Sequence, residues 1–223
     1  MTVASRSVPS WRDVFAEACV GALSLLLPVW CAGCDAPDTV LCAPCRELLA
    51  PRARRRAIEA DVPVFSAVEF AGVPARVIRA FKEDGRTALA RPLGAALAVA
   101  VAAASAHADA PAAIVPIPSS RRAFRRRGYE IAALLARRGG LQPLAALTAT
   151  GTAGDQRGLG RVERARNVVG SLRAHGVEGR DVIVVDDVVT TGATLGEAAR
   201  ALSAGGARVV AAATVAATPR HAR

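Results

Sequence analysis

Two adjacent carboxylates, Asp186 and Asp187, stand between a β-branched run, Val182 to Val185, and a hydroxyl-rich turn, Thr190-Thr191-Gly192-Ala193-Thr194. Ionised carboxylates only accept hydrogen bonds, so a neighbouring pair suits the two hydroxyls of a vicinal diol such as that of a ribose. A turn that opens a helix offers the complementary chemistry. Its first backbone N–H groups are unpaired, and the positive end of the helix dipole attracts an anion. The threonine hydroxyls add donors, and Gly192 lets the backbone come close. Diol acceptors beside a phosphate cradle describe a site for a ribose 5-phosphate. The plainer alternative is an ordinary turn after an acidic strand end that binds a metal. A Walker loop is excluded because no lysine follows Gly192, and Gly158-Leu159-Gly160 has Glu163 where a dinucleotide fingerprint needs glycine.

A second set of chemically capable residues lies early in the chain. Cys31-Ala-Gly-Cys34 and Cys42-Ala-Pro-Cys45 are two Cys-x-x-Cys knuckles separated by seven residues. Such pairs can set four thiolates tetrahedrally around zinc, which would be structural because no ligand position stays open. Disulfides and a redox pair are the alternatives. A reducing, cytoplasmic setting disfavours the first, and a second knuckle so close is not needed by the second. Cys19 lies outside the set and reads as a small buried hydrophobe. A third set follows Ala113-Ile-Val-Pro-Ile-Pro118, where Ser119 and Ser120 precede Arg121, Arg122, Arg125, Arg126 and Arg127. Guanidinium forks suit phosphate oxygens, and a solvated basic helix is the alternative.

The elements that must position these groups follow from pattern. Val182 to Val185 is an uninterrupted buried strand, and Leu195, Ala198, Ala199 and Leu202 recur at helical spacing after the turn. Val62 to Phe70 and Ala207 to Val215 read as strands, Gly72-Val-Pro74 as a turn, and Ala75 to Phe81 and Pro92 to Ala106 as helices. Ser10 to Asp13 resembles a capping box that opens an amphipathic N-terminal helix. Arg52 to Arg56 reads as a solvated linker. Gly151 to Asn167, with four glycines and four arginines, reads as a long binding loop or lid. Alternating strands and helices imply an α/β fold with a mainly parallel sheet and ligands at the strand carboxyl ends.

Composition narrows the classes. The chain has 223 residues, 52% of them apolar, enough for one domain with an appendage. A net charge of +10 favours anionic partners. Eight aromatic residues (two Trp, one Tyr, five Phe) are few for a protein that stacks single-stranded bases, so direct nucleic-acid binding is possible but not favoured. No stretch approaches the roughly 20 apolar residues of a membrane span. Pro28-Val29-Trp30 is a poor lipoprotein cleavage site before Cys31, which leaves a cytoplasmic protein as the expectation.

The run from Asp186 to Thr194 resembles the phosphoribosyl pyrophosphate (PRPP) motif of type I phosphoribosyltransferases, matching it without a gap. With the other motifs in order, the chain resembles the ComF (GntX-like) family of phosphoribosyltransferase-like proteins. The double knuckle resembles that family's zinc-ribbon-like element. Phe70-x-Gly72 and Lys82-x-x-Gly85-Arg86 match two further patterns, as do Val115-Pro-Ile-Pro118 and Arg127-Gly-Tyr129, with Glu130 where the family usually has Asn. Gln156, Leu159, Arg161, Glu163, Arg164 and Asn167 match the loop that closes over PRPP.

The resemblance implies a type I phosphoribosyltransferase-like parallel sheet flanked by helices, with a small N-terminal zinc-ribbon-like element. The implied division is a zinc-binding element over 1–60, the domain over 61–218 and a tail over 219–223. It implies ribose and 5-phosphate binding by Asp186, Asp187, Thr190, Thr191, Gly192, Ala193 and Thr194. Pyrophosphate would meet Ser119, Ser120 and Arg121, with Arg161 and Arg164 catalytic and Lys82, Gln156 and Asn167 as further loop candidates. Structural zinc on Cys31, Cys34, Cys42 and Cys45, and Mg²⁺ accompanying PRPP, are the implied cofactors. The implied activity is phosphoribosyl transfer to an unidentified acceptor, in a protein linked to competence and DNA uptake. A PRPP or nucleotide sensor and a DNA-binding competence factor are the alternatives.

Overall fold

The computed structural model describes residues 29–58, 62–150 and 169–219. In chain order these form α1 (Ala43–Leu48), β1 (Arg54–Ala57), β2 (Pro63–Glu69), α2 (Gly72–Glu83), a 3-10 turn (Thr87–Leu89) and α3 (Ala90–Ser105). They continue with β3 (Ala113–Pro116), α4 (Arg121–Arg127), α5 (Ile131–Arg138), β4 (Leu147–Ala149), β5 (Leu172–Ala174), β6 (Asp181–Val189), α6 (Ala193–Ala204) and β7 (Arg208–Ala217). The N-terminal capping box and Cys19 lie outside the described residues.

The main sheet has the order β1-β2-β7-β6-β3. The pairs β2/β7, β7/β6 and β6/β3 are parallel, and only β1 runs antiparallel, at the edge beside β2. This is the α/β architecture that alternating patterns predict. The β-branched run of β6 is buried on both faces. Ile183 and Val185 join the cluster formed with α2, α3 and α5, while Val182 and Val184 join the cluster formed with α6 and the small β4-β5 pair. Side chains alternate along a strand, so Asp187 continues the face of Ile183 and Val185, towards α2.

Helix α2 is anchored by Val77, Ile78 and Phe81, all at most 1% exposed. Burying side chains of this size stabilises by roughly 1.5–3 kcal/mol each. It begins at Gly72, not after Pro74, because a proline in the first turn lacks only an N–H that would have no helical partner anyway. Continuous with its 3-10 turn, α3 gives a helical stretch, Thr87–Ser105, long and apolar enough by length and composition to cross a membrane, against the expectation that no stretch would be. Half of its most apolar window is buried in this fold. Its alanine-rich surface lets it pack closely on β2, β7 and α5.

Candidate functional site

Strand β6 does not stop at the acidic pair, as the end of the apolar run suggests. It continues to Val189, because Val188 and Val189 still pair with Ala216 and Ala217 of β7. On the other side, β3 ends at Pro116 opposite Val185. Asp186 and Asp187 therefore emerge where one neighbour strand has ended and the other continues, a notch at the carboxyl end of the sheet.

Lys82, from the last turn of α2, places Nζ 2.8 Å from Oδ2 of Asp187. The other oxygen, Oδ1, accepts the N–H of Val188 at 2.7 Å. Asp187, at 6% exposed, is thus held at both oxygens. Asp186 accepts the N–H of Asp187 at 2.8 Å. Burial and the charge of Asp187 push the Asp186 carboxyl up to about 8, against the pull of that N–H and of Lys82. Lys82 balances one charge only, so Asp186 keeps its proton to about 8, and an incoming cation or hydroxyl donor would favour its ionised form.

The turn that follows is braced from the N-terminal part of the chain. Gly192 is left-handed, with φ 92°, and a Cβ there would lie 2.6 Å from Cγ2 of Ile58. Glycine is required twice over, by conformation and by contact. Arg56 on β1 donates to the carbonyls of Thr190 at 2.5 Å and Thr218 at 3.2 Å. The arginine run is solvated, as expected, except at half-buried Arg56, but it is no linker: it forms edge strand β1, and Arg54 pairs with Glu69 at 2.5 Å across the β1-β2 hairpin. Thr190, Thr191 and Thr194 are exposed at the start of α6, and the Thr191 hydroxyl accepts the Ala193 N–H at 3.3 Å.

The serine turn after β3 lies beside this one. Ser119 N–H donates to Glu130 Oε2 at 2.6 Å, Arg127 donates to the Ser119 hydroxyl at 3.2 Å, and Ser120 caps α4 by accepting the Ala123 N–H at 3.3 Å. Glu130, which departs from the asparagine of the resembled motif, makes a polar contact of its own through Ser119. A cavity of about 450 Å³ opens between this turn and β4, lined by Ser119, Arg121, Phe124, Arg125, Glu130 and Thr148, among others. Strands β4 and β5 flank residues 151–168. Gln156, Arg161, Arg164 and Asn167 lie among these, outside the described residues.

The four knuckle cysteines converge. Their Sγ atoms all lie within 4.8 Å of one another, and Cys31–Cys42 and Cys34–Cys42 are each 3.6 Å apart. A Zn–S bond of 2.3 Å in a tetrahedron implies a sulfur–sulfur edge of about 3.8 Å, so the donor set fits zinc. Burial disfavours the Cys31 thiolate, yet N–H groups of Cys42, Gly33 and Cys34 outweigh it and bring its pKa to about 6. Gly33 has no room for a side chain, since a Cβ would come 2.6 Å from Cys45 Sγ.

Sequence reasoning passed over Glu197. It is 4% exposed, paired with Arg200 at 2.7 Å, and accepts the Leu172 N–H at 3.1 Å, so it ties α6 to the start of β5. Burial would raise its pKa, but Arg200 and the backbone donors hold it below the usual carboxylate range. A glutamate on the apolar face of α6, three residues before an arginine, was the available signal.

The profile of the family described as phosphoribosyl transferase domain matches residues 98–223, more than half of the chain. A ribose-phosphate pyrophosphokinase 2 of Archaeoglobus fulgidus is 59% identical over 39 residues, which are 18% of this chain and only 14% of that protein's length. Among solved structures, an orotate phosphoribosyltransferase of Mycobacterium tuberculosis H37Rv, in complex with Fe(III) dicitrate, is 19% identical over 78% of this chain and 83% of that one, with a TM-score of 0.36. An allosteric regulatory enzyme of purine biosynthesis is 22% identical over 58% of this chain and 26% of that one, with a TM-score of 0.35. With an acidic pair suited to a diol, a threonine turn and a parallel sheet, and a family match over residues 98–223, the chain belongs to the phosphoribosyl transferase domain family.

Proposed function

We propose that this protein binds PRPP at the notch on β6 and transfers its phosphoribosyl group to an acceptor still to be identified, as a member of the ComF kind with a structural zinc element. The observation that carries the reading is the clamped Asp187 beside a half-buried Asp186, directly before a braced threonine turn. In this reading the two carboxylates take the ribose hydroxyls, and Thr190, Thr191, Thr194 and the first N–H groups of α6 take the 5-phosphate. Ser119, Ser120 and Arg121 meet the pyrophosphate, with Arg161 and Arg164 stabilising it as it departs. Cys31, Cys34, Cys42 and Cys45 hold zinc, in an element ending near residue 60.

Magnesium fits as the companion of PRPP. It takes few protein ligands besides phosphate oxygens and water, and it would favour the ionised form of Asp186 beside Asp187. When bound, it would neutralise charge on the leaving pyrophosphate. The protein's part is to hold ribose and phosphate still and to aim donors where charge develops. A link to competence and DNA uptake, through DNA-uptake proteins as partners, belongs to the same proposal, as does a cytoplasmic location.

One observation favours a second reading, a PRPP sensor without turnover: the serine turn spends its donors and acceptors on Glu130, Arg127 and Ala123. Labelled PRPP and Mg²⁺ with a broad panel of acceptors decides between them. Release of pyrophosphate with any acceptor supports transfer. Tight PRPP binding without release supports the sensor, and absence of binding removes both.

A further inference from the structure

The cysteine element touches the same helix that supplies Lys82. At the first turn of α2, Val73 packs against Gly33, where a Cβ would lie 2.9 Å from Val73 Cγ1. One turn further, Arg76 pairs with Asp35 in the first knuckle. Just past the helix end, Arg86 donates to the carbonyl of Trp30, the residue before Cys31, and at 3.4 Å to that of Val40, two residues before Cys42. The Arg86 N–H bonds back to the Ala80 carbonyl at 3.3 Å, so Arg86 and Lys82 belong to one wound segment.

We propose that Lys82 is a positioning residue for the acidic pair, and that the cysteine element sets its place through Arg86 and Arg76. The state of the four thiols then controls how tightly the notch holds a ribose 5-phosphate. This rests on the reading of the notch given above. Lys82 is the cation that fixes Oδ2 of Asp187, while Val188 N–H fixes Oδ1. If Lys82 withdraws, two adjacent carboxylates face each other with no bound counter-charge, and Asp187 loses half of its clamp. Val77, Ile78 and Phe81 keep the body of α2 in the core, so what the knuckles can shift is the last turn, with Lys82, and the segment that runs on to Arg86. The zinc-binding set also has an accessible member, since Cys34 is exposed and Cys31 and Cys45 are buried. Loss of metal or oxidation of the thiols rearranges the knuckles, and the carbonyls that seat Arg86 are tied to them: Trp30 directly precedes Cys31, and Val40 also accepts the Ala32 N–H at 3.0 Å.

The test uses the full zinc-loaded chain and ribose 5-phosphate in calorimetry. Chelation, Arg86→Gln and Lys82→Met should each weaken binding about fivefold to twentyfold. Chelating the Lys82→Met variant should cause no further loss, and Lys82→Arg should restore most of the affinity. Equal losses on chelation with and without Lys82, or wild-type affinity in Arg86→Gln, overturn the proposal. If chelation melts the protein, zinc-loaded Arg86→Gln, checked by thermal denaturation, decides alone. Hydrogen exchange supplies an arm that needs no ligand: in Arg86→Gln, protection should fall at 80–86 and at 186–189 together. Coupled exchange in a wild type that binds no ribose 5-phosphate would sink the notch reading and leave the mechanical link standing. Unchanged exchange at 186–189 refutes the link itself.

Discussion

Two neighbouring turns leave the carboxyl end of this sheet, one after β6 and one after β3, and each leads into a helix. The threonine turn is held from outside. Arg56 takes the Thr190 carbonyl, Ile58 fills the space beside Gly192, and a 12-residue helix with a buried face follows. The serine turn is held by itself: Glu130, Arg127 and the cap of a seven-residue helix with no buried residue consume its polar groups. A turn braced from behind can present its donors to a ligand without rearranging, whereas a turn closed on its own donors must first break contacts. In the proposed reading, preorganisation lies with the 5-phosphate side of the site, and adjustment with the pyrophosphate side.

The largest effect that could break this contrast is at Gly192. Gly192→Ala puts an alanine at φ 92° and its Cβ within 2.6 Å of Ile58. Holding a non-glycine residue there costs roughly 1–3 kcal/mol of strain. Ribose 5-phosphate binding should be lost, with a lowered melting temperature. A glycine on the serine side, Gly128, makes a useful control: it is left-handed too, but a Cβ there meets nothing within 4 Å. Gly128→Ala should cost strain alone and leave ribose 5-phosphate affinity intact. Equal loss of binding in both variants would show that the brace does not matter.

The acidic pair gives the next effect. Asp186→Asn or Asp187→Asn should each weaken ribose 5-phosphate binding by roughly 1–3 kcal/mol, the scale of a hydrogen bond to a charged group. The pH dependence has a defined sign. The raised pKa of Asp186, about 8, means that the folded chain binds this proton more tightly than the unfolded chain. That contribution to stability is full below the ordinary carboxylate range and is lost as pH rises through about 8. A diol and a cation prefer the ionised form, so affinity for the magnesium complex of PRPP should rise across the same window while the melting temperature falls. Asp187→Asn removes the neighbouring charge, and the rise should move to lower pH. Calorimetry and thermal melts from about pH 5 to 9 check both limbs, which should level off above about 8, and a flat affinity profile in the wild type would disconnect Asp186 from the ligand.

Much of this arrangement was legible because it is local. A β-branched run, two carboxylates and a threonine-glycine turn dictate strand, notch and helix within a few residues. The knuckles likewise carry their own spacing, and their sulfurs meet as that spacing implies. What could not be read is what long-range pairing decides. Val188 and Val189 extend β6 because β7 is there to receive them, and Arg56 becomes a brace because β1 pairs onto β2 and reaches Thr190, 134 residues away. Local charge density marks those arginines as solvated, which most of them are, and hides that Arg56 is a brace. Lys82 was visible as part of a motif, but its partner Asp187 is set by the packing of α2 on the odd face of β6. Glu197 was hidden for the opposite reason, since an i,i+3 pair with Arg200 looks like surface decoration until β5 is seen to dock on it.

The smallest effect sharpens the contrast from the serine side. Glu130 holds the Ser119 N–H at 2.6 Å and lines the cavity beside Arg121 and Arg125. A carboxylate there repels a pyrophosphate, while its hydrogen bond keeps the turn in shape. Glu130→Gln separates the two roles, because the amide oxygen still accepts the Ser119 N–H and the charge is gone. Pyrophosphate affinity should then rise, by no more than about tenfold or ~1.4 kcal/mol, since the groups are partly exposed and screened. Ribose 5-phosphate, held on the braced turn, should bind as in the wild type. Glu130→Ala removes both roles, so the turn loses its internal partner and the gain should shrink or reverse. Competition calorimetry with pyrophosphate and magnesium measures all three proteins. If Glu130→Gln instead weakens pyrophosphate binding, the charge of Glu130 serves the site by holding Ser119 in place, and the serine turn is as preorganised as its neighbour.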